Sequence, residues 1–176
     1  METLLYSRIE SPAGPLFLGV SRNGLALIEF AKECTQPSPH VITRDADGKK
    51  IHTEWEESDS ESRPYARELT EYFAGKRREF SFALDLRGTD FQKSCWRALL
   101  EIPYGETRSY REIAGRVGTT GYRAVGMANH TNPIPIVIPC HRVIAADGTL
   151  CGYGGGLDTK RWLLRLEGAA FRERAA

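Results

Sequence analysis

Arg123-Ala-Val-Gly-Met-Ala-Asn-His-Thr-Asn132-Pro-Ile-Pro-Ile-Val-Ile-Pro-Cys140-His-Arg-Val-Ile144 is the stretch on which the reading of this chain turns. From Ala124 to His141 it runs 18 residues without Asp, Glu, Lys or Arg, the longest such run in the sequence. The length approaches a membrane span, but Asn129, His130, Thr131, Asn132 and three prolines exclude one. What remains is a short helical pattern followed by a β-branched apolar run that delivers a cysteine between Pro139 and a His-Arg pair. A cysteine acts as a nucleophile only as its thiolate, which needs a neighbouring base, a positive charge or a helix N-terminus. His141 is a candidate base and Arg142 a fixed cation, while Pro139 restrains the backbone that presents the thiol. The plain alternative is a buried, inert cysteine closing a core strand.

Upstream of this stretch the pattern is helical. Thr89 or Asp90 is placed to cap a helix whose apolar face carries Phe91, Cys95, Leu99 and Ile102, broken by Pro103-Tyr104-Gly105. Ser109 opens a short helix over 110–116, Gly118-Thr119-Thr120-Gly121 makes a turn, and a second helix covers 122–129. Two short helices about a glycine-containing turn form a helix-turn-helix pattern. Downstream, Asp158 is expected to cap a helix with Leu163, Leu164 and Leu166 inside and Gly168 at its end.

The first half reads differently. Apolar runs at 4–9, 16–20 and 25–30, the last two joined through Asn23-Gly24, predict a small antiparallel sheet. Residues 32–62, polar and acidic, read as a long surface loop, after which Pro64 starts a helix that carries Leu69 and Phe73 and stops at Gly75. The fold class is therefore α+β, with domains over 1–84 and 85–176. The 24 Lys and Arg against 23 Asp and Glu divide unevenly at that point, with 11 bases to 14 acids before it and 13 to 9 after. An excess of bases in the second half suits a polyanionic partner.

Four cysteines without a CxxC pair do not form a disulfide framework and fit reduced thiols in the cytoplasm. The N-terminal METLLYSRIE has neither a basic start nor an apolar run, so no signal peptide is expected. Cys95 reads as core and Cys151 as partly exposed. Cys34 with His40 and His52 lacks a compact ligand pair, and no metal is expected.

The opening stretch, together with Gly88-Thr-Asp-Phe-Gln-Lys-Ser-Cys-Trp96, Ile102-Pro-Tyr-Gly-Glu-Thr-Arg-Ser-Tyr110, Gly152-Tyr-Gly-Gly-Gly156 and Lys160-Arg-Trp-Leu-Leu-Arg-Leu-Glu167, resembles the O6-alkylguanine-DNA alkyltransferases. The resemblance covers 80–168 almost without gaps, and Ser11-Pro-Ala-Gly-Pro-Leu and Asn23-Gly-Leu-Ala-Leu-Ile-Glu-Phe30 extend it to the N-terminal domain of the bacterial members. It implies a ribonuclease-H-like first domain. It also implies a helical second domain that transfers the alkyl group of O6-alkylguanine in double-stranded DNA irreversibly to Cys140, without cofactor or metal. O4-alkylthymine is a further expected substrate.

By the same resemblance His141 takes the thiol proton through a water and Glu167 holds His141. Tyr110 crowds a phosphate and drives the nucleotide out of the duplex, Arg123 fills the gap, and Ala124 and Gly126 let the helix approach the minor groove. Asn132 is the hinge asparagine, and Tyr110, Val143, Tyr153 and Gly154 bind the base. Gly154 stands where many relatives carry Ser or another small residue, which enlarges the pocket and predicts tolerance of groups bulkier than methyl. The implied protein is a cytoplasmic monomer. The rival is a non-catalytic lesion binder of the alkyltransferase-like type, which lacks the reactive cysteine. A helix-turn-helix regulator would want more base-reading side chains than this recognition helix has, and a cysteine hydrolase would want an oxyanion hole.

Overall fold

The computed structural model describes residues 2–31, 33–38, 44–45 and 47–173. It divides into two compact units, Met1–Thr89 and Asp90–Ala176. In the first, strands β1 (Glu2–Ile9), β2 (Leu16–Ser21), β3 (Gly24–Phe30) and β4 (Thr53–Glu57) form one sheet in the order β3-β2-β1-β4. β2 is central and buried along almost its whole length, as its unbroken run of apolar residues requires. The β2–β3 hairpin turns at Asn23-Gly24, but only Gly24 has positive φ, at 136°. A methyl group added there would sit 2.3 Å from the Ala83 carbonyl oxygen.

The sheet is mixed rather than antiparallel. β4 pairs parallel to β1, with Glu2 opposite Thr53 and Tyr6 opposite Glu57. The segment expected as loop up to residue 62 therefore contains a strand. Its alternation is masked by glutamates on the exposed side, while Trp55 turns inward against Tyr6, edge to face at 6.3 Å. Helix α1 (Asp59–Phe73) also begins earlier than Pro64, which lies inside it. Asp59 and Glu61 favour a helix N-terminus through its dipole, and the buried Ser62 hydroxyl anchors this extra turn to Ser7 on β1, at 2.5 Å.

In the second unit α2 (Asp90–Leu100) buries Cys95, Trp96, Ala98 and Leu99, and leaves Phe91 exposed; the buried face is rotated from the expected one towards Trp96. The Trp96 indole N–H donates to the Ala128 carbonyl at 2.9 Å, which fixes α2 against α4 (Tyr122–His130). Between them β5 (Arg108–Ser109) runs into α3 (Tyr110–Arg116), whose start is a full capping box of Ser109 and Glu112. α3 and α4 form the helix-turn-helix, turning through Gly118 at φ 73°. β6 (Val143–Ile144) pairs parallel with β5. α5 (Leu157–Leu166) has Gly156, not Asp158, at its cap, with Asp158 in the first turn, and Gly168 turns the chain after it at φ 69°. No helix among the described residues is long and apolar enough to cross a membrane.

Candidate active site

The β5–β6 pairing is what assembles the site. It sets Ser109 beside Ile144, so Tyr110, one residue past β5, comes close to the 3-10 turn Cys140–Arg142 that immediately precedes β6. The turn before Cys140 is stapled by one side chain. Asn132 donates to the Ile138 carbonyl at 2.9 Å and to Cys140 Sγ at 3.2 Å, and its Oδ1 accepts from Ile134 N at 2.9 Å. Within this turn Ile136 adopts φ 77° while buried, a conformation costing a β-branched residue about 1–3 kcal/mol. The packing of 134–138 and the Asn132 bonds hold it there.

Behind the thiol stands a buried line of charge. His141 is fully buried, and its Nε2 lies 2.8 Å from Glu167 Oε1. Arg142 donates Nε to Glu167 Oε2 at 2.9 Å and an Nη to Oε1 at 3.0 Å, and its other Nη to the Ile102 carbonyl at 2.6 Å. Burial pushes the Glu167 carboxyl up, but the bonds and charges of His141 and Arg142 outweigh it and hold it at about 2. Burial pushes His141 below its usual range, against the pull of Glu167, and its Nδ1 is buried with no hydrogen-bond partner among the described residues.

Arg142 thus clamps the glutamate and does not face the thiol. The cation that does is Lys160, fully buried on α5 and held by the carbonyls of Val143 at 2.6 Å and Cys151 at 3.0 Å. Burial lowers its pKa, while the Cys151 and Cys140 thiols act to raise it. Burial raises the Cys140 thiol, opposed by the Asn132 hydrogen bond, the Lys160 charge and the backbone N–H groups of Cys140 and His141. Lys160 was legible as an anomaly: it occupies the register of Leu163, Leu164 and Glu167 on the buried face of its helix.

Cys140 opens onto a cavity of about 470 Å³ lined also by Tyr110, Gly126, Asn129, Tyr153 and Gly154, a size that accepts one nucleobase. Burial raises the Tyr110 phenol well above its ordinary range; the neighbouring Cys151 and Cys140 thiols add to this, and the Asn129 side chain offsets it. Val143 is buried and does not line the cavity, and Arg123 and Ala124 lie exposed on α4, also outside the lining. A methyl added at Gly154 would meet nothing within 4 Å. Of the weak metal candidate, Cys34 is exposed and His40 lies outside the described residues. A larger cavity in the first unit, about 640 Å³ and lined by Glu2, Arg22, Asp45, Lys49 and Arg87, has no cysteine or histidine among its described lining residues, and Arg87 is already paired with Glu2 and Asp85.

A buried thiol bonded by Asn132, next in the chain to a histidine that a buried carboxylate holds, in the same unit as a helix-turn-helix, defines a protein that presents a cysteine nucleophile with a nucleic-acid-binding element. Comparison with known proteins narrows this. The DNA-binding-domain model of 6-O-methylguanine DNA methyltransferase matches residues 90–169, and the ribonuclease-like-domain model matches residues 4–86. The methylated-DNA–protein-cysteine methyltransferase of Methanosarcina barkeri is 49% identical over 168 residues, 93% of this chain and 97% of that one. The crystal structure of the Mycobacterium tuberculosis O6-methylguanine methyltransferase superposes with a TM-score of 0.79 at 46% identity, covering 94% of this chain and 93% of the other. A structure of the M. tuberculosis protein in complex with DNA matches with the same TM-score at 45% identity, covering 93% and 92%. The chain belongs to the 6-O-methylguanine DNA methyltransferase family.

Proposed function

We propose that the protein repairs alkylated DNA directly, transferring the alkyl group from O6 of guanine to Cys140 Sγ in a single turnover. The observation that carries this is the Cys140 thiol opening onto a base-sized cavity, with the adjoining His141 held by Glu167 in the buried interior. In the resting site burial disfavours both the thiolate and the imidazolium. As the base enters, the thiol proton passes to His141, whose charge Glu167 stabilises, and Lys160 and the Asn132 amide support the sulfur anion. Sγ then attacks the alkyl carbon as the C–O6 bond breaks. The electron pair goes to the purine oxygen, and the proton held on His141 is returned to ring N1 of the departing guanine. The products are S-alkylcysteine and guanine; nothing restores the thiol.

A base within a duplex cannot reach a sulfur this buried, so the nucleotide is extruded. Arg123, exposed on α4, is assigned the vacated stack, and Ala124 and Gly126 the close approach to the minor groove. Tyr110 is assigned the turning of the phosphate, with Tyr153, Gly154 and the Val143 backbone holding the base. Residues 85–176 carry the chemistry and 1–84 form the companion domain, in a monomer acting in the cytoplasm, where thiols stay reduced. Retention of Cys140 separates the chain from the non-catalytic lesion binders.

Incubation with DNA containing O6-methylguanine, followed by mass spectrometry, is expected to place one methyl group on Cys140. Unmodified protein with intact lesion overturns the proposal. Cys140→Ser abolishes transfer and keeps DNA binding; Arg123→Ala weakens binding and extrusion.

A further inference from the structure

Asn129 projects from α4 into the cavity that holds Cys140. Both polar atoms of its carboxamide, Nδ2 and Oδ1, are buried, and neither has a hydrogen-bond partner in the protein among the described residues. The Tyr110 phenol lies alongside, close enough for the carboxamide to ease its ionisation, but neither amide atom completes a hydrogen bond to it. A buried donor and a buried acceptor left open on one side chain each cost folding free energy, and such pairs persist where a ligand answers them. Asn132, three residues on, has both of its polar atoms bonded within the protein. The difference locates the open pair at the cavity rather than at the turn.

We infer that Asn129 is a specificity-determining residue that reads the pairing edge of the extruded base, its amide N–H donating to ring N1 and its oxygen accepting from the exocyclic amino group of O6-alkylguanine. This rests on the alkyl-transfer reading of the site. The chemistry of the lesion makes the pair selective. Alkylation at O6 removes the N1 proton, so the edge offers an acceptor beside a donor, which one carboxamide satisfies in full. Unmodified guanine offers two adjacent donors and leaves the amide N–H opposed by N1–H. O4-alkylthymine offers two acceptors and leaves Oδ1 without a partner. Asn129 thereby favours the alkylated purine over both.

Asn129→Leu, close in shape and apolar, tests this in the full-length protein. Single-turnover rates are measured on duplexes carrying O6-methylguanine, O4-methylthymine or O6-methylhypoxanthine, which lacks the amino group. Transfer from O6-methylguanine is expected to fall about tenfold or more, with the thymine rate little changed and the penalty for the missing amino group much reduced. The thermal midpoint is expected to hold or rise, because an open polar pair is replaced by apolar surface. Equal slowing on all three substrates, or no slowing on any, overturns the assignment. Wild-type protein inert on every lesion instead overturns alkyl transfer itself, so the two failures are distinguishable.

Discussion

Replacing Glu167 by Gln removes one charge from the buried line behind the thiol and leaves its shape. In the wild-type site the carboxylate accepts from His141 and twice from Arg142, with the Gly105 N–H at 3.4 Å. A carboxamide has one accepting oxygen, so one of these donors meets an NH₂ group, and the buried Arg142 loses its counter-ion. Losing one partner of a buried pair costs about 3–5 kcal/mol at neutral pH. The pH dependence isolates the residue. Its carboxyl titrates near 2 in the folded protein against 4.5 ordinarily. The native state therefore binds this proton less readily than the unfolded chain. The resulting stabilisation is complete above pH 4.5 and is lost as pH falls to about 2; it amounts to about 3 kcal/mol. Glu68 and Glu112 are also held low, but they are common to both proteins and cancel in the comparison. Urea denaturation at steps from pH 7 to pH 2 is the assay. Glu167→Gln is expected to start less stable and to lose about 3 kcal/mol less on acidification. Parallel acid limbs in the two proteins refute the reasoning. Methyl transfer at pH 7 is expected to slow by about 100-fold, since the imidazolium loses its stabilising carboxylate.

Three other substitutions probe the surroundings. Lys160→Met removes the cation facing both thiols, so the pH midpoint for alkylation of Cys140 by iodoacetamide rises by about one unit; an unshifted profile shows that the ammonium does not support the thiolate. Gly105→Ala introduces a Cβ 2.9 Å from the Glu167 carbonyl oxygen at a position with φ 82°, and is expected to cost about 1–3 kcal/mol and several degrees of thermal midpoint. An unchanged midpoint would show that the loop at Tyr104 yields freely. Gly154→Ser adds atoms where nothing lies within 4 Å, so stability holds while transfer from O6-benzylguanine falls relative to O6-methylguanine; an unaltered ratio argues against Gly154 as the source of pocket width.

Local signals marked most elements. Ser109 at the start of α3, the glycines at 24, 118 and 168, and the apolar run of β2 each act within a few residues, which is why they could be read directly. The misreadings occurred where distant partners decided the outcome. β4 is a strand because Glu2–Tyr6 lies beside it and Trp55 finds Tyr6 and Phe17, none of which its own glutamates announce. α1 begins before its proline because Ser62 finds Ser7, 55 residues away. In the site, Cys140 and His141 stand out by adjacency. Arg142 was misread for the same reason: neighbouring positions on a 3-10 turn point in different directions, and its guanidinium turns to Glu167 and the Ile102 carbonyl. Lys160 and Asn129 depend wholly on burial, which spacing does not report.

The burial that makes the site hard to read also gives it its chemistry. A cysteine that reacts once and is not regenerated is wasted if it meets any other electrophile or oxidant first, and an exposed thiolate is the reactive form. Here burial disfavours the ionised form of both Cys140 and His141, while the groups that favour ionisation, Asn132, Lys160 and Glu167, are already fixed in place. The barrier to forming the ion pair is therefore one of solvation rather than of position. A base that fills the cavity removes water and aligns an alkyl carbon with the sulfur, so the stabilising groups act on charge as it moves from sulfur to the purine oxygen, with no reorganisation of the protein. On this argument the resting thiol titrates higher than a free cysteine, yet reacts fastest with the one electrophile that fits, and general thiol reagents underestimate its activity toward DNA.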